Sequence, residues 1–274
     1  MSNPKFNYII MLKFKFTIAN LLMVLLIISC SDNENNTNIS QTDDTVIQVI
    51  NPLFQNSIVS TNIDFIKDSD PNAFSSIQYI GQEVKEMPDS RTDILLDIST
   101  YVFEVSFTSG DTIEIWAHST FGDEFAAQEY VDKLTSRLGK LPEFIRNTIS
   151  HVVLHKGNEG AFAESEGHFF VLYSDNMDVR ISNNDLEETV FHESIHAALD
   201  FEYLQSSQWW QAQQNDDAFI TQYAKDNPSK EDMAESALFA YTMIKYPDRL
   251  SSEIQNWVNT NIPNRYAFFE TIFE

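Results

Sequence analysis

The stretch Leu186–Tyr203 reads LEETVFHESIHAALDFEY, and its reading decides the fold. It holds no Gly or Pro, and Leu186, Val190, Ala197 and Phe201 keep a helical apolar spacing. Asn183, Asn184 and Asp185 just before it are all good N-cap residues. Glu187 and Glu188 fall in the first turn, where the helix dipole favours acid. The stretch is therefore expected to be a helix. On it, His192-Glu193-Ser194-Ile195-His196 forms an H-E-x-x-H pattern. Residues four apart on a helix differ by about 40° around the axis and roughly 6 Å along it, so two imidazoles can converge on one ion. Glu193 lies about 100° from His192. Its carboxylate is not aimed at that ion, but it can take a proton from a water held there. The expected cofactor is Zn2+, with His192 and His196 as ligands and Glu193 as the catalytic base.

A catalytic zinc usually takes three protein ligands and keeps one open position. Working outward, Asp200 lies four residues past His196 and suits an imidazole N–H as an outer partner. Further on, Pro228-Ser229-Lys230-Glu231-Asp232-Met233-Ala234-Glu235-Ser236-Ala237 opens another helix, with Ser229 as expected N-cap and Asp232 completing a variant capping box. Glu235 sits a full turn inside that helix, flanked by small Ala234 and Ala237 that permit close packing. It is the expected third ligand, with Glu231 and Asp200 as alternatives. Capping and dipole chemistry account equally well for Glu231 and Asp232.

The rest of the body, from about residue 46 to 274, divides near residue 183. Tyr101–Phe107 and Thr112–Trp116, joined by Ser109-Gly110-Asp111, read as a β-hairpin. His151–His155 and His168–Tyr173 are further strands. Between them Asp123–Leu138 has helical periodicity, with Gly139 read as its stop and Pro142 as the start of a short helix. After residue 183 three helices are expected: Leu186–Tyr203, Gln208–Ala224 and Lys230–Tyr246. The fold class is α+β, with a mixed β-sheet N-terminal lobe (about 46–183) and a largely helical C-terminal lobe (about 184–274). His151 and His155 would lie on one strand face about 13 Å apart, too far to share an ion. With His168 they read as ordinary residues, and His118 carries no pattern. Trp209 and Trp210 read as core, with a pocket wall as the lesser alternative.

Residues 1–30 read as an export signal. Lys5, Lys13 and Lys15 precede an apolar run, Leu21–Ile28, that is too short to span a bilayer. The run ends Ile27-Ile28-Ser29-Cys30, which resembles a bacterial lipobox. Cys30, the chain's only cysteine, is the expected lipidation site, and several acyl chains would give stable membrane anchoring. Residues 31–45, SDNENNTNISQTDDT, are too polar to fold and read as a flexible tether. The acidic stretch after the cysteine resembles surface-export signals of some bacterial lipoproteins. The expected location is the bacterial cell envelope. With 41 acidic against 17 basic residues the chain carries −24, which repels phosphate backbones and argues for no nucleic-acid partner.

The stretch from Leu186 to Phe239 resembles gluzincin metallopeptidases, in which H-E-x-x-H on one helix is completed by a glutamate on a later one. The resemblance is carried by Leu186–Glu193, His196 with Leu199-Asp200, Trp210–Gln213, Tyr223–Pro228 and Glu231–Ser236. The interval from His196 to Glu235 is closer to that of lethal-factor-like peptidases than to thermolysin-like ones. The resemblance implies a zincin-like fold, a zinc ligand at Glu235, and a tyrosine that holds the oxyanion of the tetrahedral intermediate. Tyr223 is the first candidate for that tyrosine and Tyr241 the second, although a packed core tyrosine explains either. The expected activity is hydrolysis of a peptide or protein substrate, paired as an extended strand with the sheet edge, for which Phe169–Tyr173 is the candidate. The alternatives are a zinc amidase acting on cell-wall or glycan-linked peptides, and a non-catalytic zinc-containing surface-binding lipoprotein.

Overall fold

The computed structural model describes residues 50–92 and 94–274. The signal segment, Cys30 and the tether lie outside the described residues. Six strands form one mixed sheet: β1 (Phe74–Met87), β2 (Leu96–Phe107), β3 (Thr112–His118), β4 (His151–His155), β5 (Phe162–Glu164) and β6 (Phe169–Tyr173). Their spatial order is β1-β2-β3-β4-β6-β5. The first three strands run antiparallel, β4 and β6 continue parallel to β3, and β5 closes the edge antiparallel to β6. The hairpin read from the sequence is β2–β3, with Val105 opposite Ile113. Phe169–Tyr173 is an interior strand and not the edge, because the three-residue β5 pairs outside it.

Alternation sorts the strand residues between faces. Ile113, Ile115 and Ala117 of β3, Val152 and Leu154 of β4, and Phe170 and Leu172 of β6 face a continuous core shared with the helices. Val153, Val171, Tyr173 and Met87 form a smaller cluster on the other face. His151 stands there, stacked between Trp116 and Phe169 with ring centroids 3.5 and 4.5 Å away.

Helix α1 (Glu124–Lys140) is capped by Asp123, whose side chain accepts from Ala126 N. Gly139 does not stop it. The helix runs on to Lys140, and Gly139 is there for a close approach: a Cβ at this position would collide with the Asn72 side chain and meet Phe74 N at 2.7 Å. The crossover from β3 to β4 continues through α2 (Glu143–Thr148). Then come α3 (Ser174–Asn183), closed by Asn184 in the left-handed region at φ 58, and α4 (Leu186–Leu199). A π-helical turn, Asp200–Leu204, extends α4 where the sequence suggests plain helix.

The expected helix over Gln208–Ala224 is two, α5 (Ser207–Gln214) and α6 (Gln222–Asp226). Asp216 breaks it: its carboxylate accepts from the backbone N–H of Asn264 and Arg265 at 2.8 and 3.0 Å, where α9 begins. Next is α7 (Asp232–Lys245), with Glu231 at the N-cap position rather than Ser229. Asp232 is no capping-box partner, because it lies buried against Arg265 and Gln213. Helices α8 (Ser252–Asn261) and α9 (Pro263–Phe273) complete the chain. Among the described residues no helix is long and apolar enough to cross a membrane.

Helix α4 is buried on nearly every side, between the sheet and α7, so its apolar residues form no single stripe. One of its acids has an energetic consequence. Glu188 is 2% exposed, and Oε1 accepts from the backbone N–H of Phe65 and Ile66 at 3.1 and 3.4 Å. Burial pushes its carboxyl up to about 7, against the pull of those hydrogen bonds and with a small push from Glu187. An acid raised on folding is most favourable below its unfolded value of 4.5, and that contribution is lost as pH rises through 7. The loss is on the order of 3 kcal/mol. Glu188→Gln, an uncharged isostere, should therefore gain stability over the natural chain between pH 5 and pH 8. Urea unfolding at the two pH values checks this, and equal stability differences at both would contradict it.

Candidate metal centre

His192 and His196 sit one turn apart on α4 with only 6% of His192 exposed, and their Nε2 atoms converge to 3.2 Å. The third atom in the cluster is Oε2 of Glu231, 3.4 Å from His192 Nε2 and 3.3 Å from His196 Nε2. Among the described residues this is the group of His, Cys, Asp and Glu side chains whose ligand atoms lie within reach of one ion. The triangle is nearly equilateral, and a point roughly 1.9 Å from each corner is equidistant from all three. Tetrahedral zinc with bonds of about 2.0–2.1 Å separates its ligands by about 3.3–3.4 Å, so the donor set fits in type and in spacing.

Glu235 is not the facing carboxylate, which corrects the expectation. It is fully buried, and its oxygens are already engaged. Ser57 Oγ donates to Oε1 at 2.6 Å, while Ile58 N–H and Thr221 Oγ1 donate to Oε2 at 2.8 and 2.6 Å. Oε1 also lies 3.5 Å from His192 Nδ1, behind the ring. Asp200 stands likewise behind the other ring, with Oδ2 2.7 Å from His196 Nδ1. Each imidazole thus has a carboxylate at Nδ1. A proton held on Nδ1 leaves the Nε2 lone pair facing the centre of the triangle.

The reason for Glu231 is where α7 begins. Arg265, itself buried, binds Asp232 Oδ2 at 2.7 Å, Asp216 Oδ2 at 3.2 Å and Ala218 O at 2.8 Å, which fixes the first residue of the helix. Glu231, one residue earlier, is left to project toward α4. Glu235 falls one turn too deep, and Ala234 and Ala237 pack beside it in the core.

The electrostatics favour a positive charge. Burial would raise the Glu231 carboxyl, but the adjoining His192 and His196 imidazoles hold it well below the usual range. Burial opposes a charge on His196, yet Asp200 and Glu231 push it up to about 10. Glu193 is 7% exposed, and burial raises its carboxyl against the pull of both histidines.

These side chains open into a cavity of about 300 Å³. It is lined by Glu193, His196 and Asp200, by Ala161–Ser165 around β5, and by Tyr223, Lys230 and Glu231. Tyr223 is therefore at the site, and burial together with the Glu231 charge pushes its phenol up to about 12. Tyr241 is not at the site. It packs against Phe191 of α4, Tyr246 and Phe273 and does not line the cavity. Trp209 is core against Phe268 and Phe269, and Trp210 is exposed away from the cavity. His155 hydrogen-bonds Pro88 O and His168 hydrogen-bonds Ala197 O, both outside the cluster.

Sequence reasoning missed Ser57 and Thr221. Thr221 follows apolar Phe219 and Ile220, and Ser57 stands in a stretch without periodicity, 178 residues from its partner Glu235. Comparison of the chain with family models, with curated proteins and with solved structures gives no match.

Proposed function

We propose that this protein is a zinc-dependent peptidase with a zincin-like arrangement of sheet, H-E-x-x-H helix and glutamate helix. The observation that carries the reading is the triangle of His192 Nε2, His196 Nε2 and Glu231 Oε2, with the Glu193 carboxylate in the same cavity. A purely structural ion has no use for an extra buried carboxylate beside an open cavity. Zinc held by His192, His196 and Glu231 supplies Lewis acidity, which lowers the pKa of a water and polarises a carbonyl.

The chain's own residues do the rest. The edge strand β5 offers its outer backbone groups to an extended peptide, so that main-chain pairing gives affinity without demanding one sequence. Glu193 takes the proton from the attacking water and returns it to the departing amine. Tyr223, which lines the same cavity, donates its phenolic hydrogen to the oxygen that becomes negative. Asp200 and Glu235 hold the two imidazoles in the tautomer that leaves Nε2 free. Leu204 and Phe162 add apolar surface to the cavity lining.

The test is digestion of a mixed peptide library by purified protein. Cleavage that is lost on chelation and restored by one equivalent of zinc is expected. A zinc-loaded chain that cleaves nothing in the library would contradict the peptidase reading. Anchoring through lipidated Cys30 is part of the same proposal. Cys30→Ala should move the protein from the membrane to the soluble fraction, and its staying with the membrane would rule the anchor out.

A further inference from the structure

We infer that the segment Phe54–Ile66 is a working part of the metal centre, in which Ser57 positions Glu235 and, through it, His192. The inference rests on the zinc reading above and adds positioning residues that the H-E-x-x-H pattern does not contain.

The segment lies across both helices that carry the three proposed ligands. Phe54 forms an isolated parallel bridge with Thr221 just before α6, its N–H donating to Ile220 O at 3.1 Å and its carbonyl accepting from Gln222 N at 2.8 Å. Its ring stacks on Phe239 of α7, and Phe65 meets the same ring edge-on at 4.9 Å. A single 3-10 turn, Ile58–Ser60, then brings Ser57 Oγ and Ile58 N–H onto the two oxygens of Glu235. Seven residues later, Phe65 and Ile66 N–H reach Glu188, one turn before His192 on α4. One segment thus binds a buried acid on each ligand helix, Glu188 one turn before His192 and Glu235 3.5 Å from its ring.

Packing alone does not call for this. A segment that only covers core apolar surface needs Phe54, Ile58 and Phe65, and it does not need a hydroxyl aimed at a fully buried carboxylate. The Ser57 hydroxyl fixes which oxygen of Glu235 faces His192. Oε2 carries two donors, Ile58 N–H and Thr221 Oγ1, while Oε1 carries one and keeps a lone pair toward Nδ1, 3.5 Å away. His192 Nδ1 is buried with no hydrogen-bond partner among the described residues, and Glu235 Oε1 is the carboxylate oxygen it faces. Without the Ser57 hydroxyl only the two donors on Oε2 hold the carboxylate, and Oε1 loses the contact that keeps it facing His192 Nδ1. Outer partners of metal-binding histidines typically contribute about 10–100-fold to metal affinity.

Linkage makes the effect reciprocal. If the segment's contacts tighten zinc binding, zinc tightens the segment. The experiment uses the full chain, with zinc affinity measured by competition against a chromophoric chelator and the visible spectrum of the cobalt-substituted protein as a readout of ligand geometry. Ser57→Ala is expected to weaken zinc about tenfold and to alter the cobalt spectrum. Ser57→Thr, which keeps the hydroxyl, should restore both. In the natural chain, zinc should slow hydrogen exchange at the Ile58 amide more than at Val131 in α1. A Ser57→Ala protein that binds zinc within twofold of the natural chain, with an unchanged cobalt spectrum, overturns the inference and leaves the metal centre standing. A natural chain that takes up no zinc overturns both.

Discussion

Glu193→Gln is expected to bind one zinc as the natural chain does and to turn over peptide roughly 10²–10⁴-fold more slowly. The glutamine keeps the shape of a side chain that is 93% buried, taken as the remainder of its 7% exposure, so the cavity should stay intact. What it removes is the acceptor for the water's proton. Glu193 is not one of the three atoms in the triangle, so metal content should not change. The loss should appear in kcat with little change in KM, because the carboxylate acts on the proton in flight and not on the resting peptide. Tyr223→Phe should behave similarly, losing about 10²–10³-fold in kcat. If both variants retain full turnover while holding zinc, the ion has some other role and Glu193 is a bystander.

The second large effect separates two glutamates one helical turn apart. Glu231→Ala should weaken zinc by roughly 10²–10³-fold, about a quarter of the free energy with which small protein sites hold the ion. Glu235→Gln should weaken it far less, about tenfold, because it removes only the support behind His192. Zinc titration of both variants against the same competitor gives the ratio. A larger loss at Glu235 than at Glu231 would restore Glu235 as a ligand. Stability should rank the other way. Glu235 accepts from Ser57, Ile58 and Thr221 in the core, and an amide there leaves a donor without a partner. Glu231, with its side chain 18% exposed, lines the cavity and leaves nothing stranded.

How far these features were legible in the sequence depends on how local their causes are. The α4 helix and its two histidines follow from spacing over eighteen residues, and the β2–β3 hairpin follows from alternation around Ser109-Gly110-Asp111. Asp123 announces α1 as an N-cap. The third carboxylate was harder to place. Glu231 or Glu235 is decided by whether α7 starts at Lys230 or at Asp232, and Arg265, 33 residues downstream, settles that through Asp232. Helix α5 ends early for a similar reason, because Asp216 is recruited by the start of α9. Gly139 reads as a stop signal from its neighbours alone, but the structure uses it to admit Asn72 and Phe74 from a distant segment. Strand β1 is mostly solvated, so its residues carry no buried alternation that sequence could show. The segment around Ser57 is irregular apart from one 3-10 turn. Its meaning lies in two acids on remote helices, and no periodicity encodes that.

The most direct measurement is anomalous scattering at the zinc edge from crystals of the full-length or signal-free chain grown with zinc. The account predicts one strong peak bonded to His192 Nε2, His196 Nε2 and a carboxylate oxygen of Glu231, each at about 2.0–2.2 Å, with one position left for solvent. A peak elsewhere, no peak between the two imidazoles, or a peak whose third protein ligand is Glu235 would contradict it.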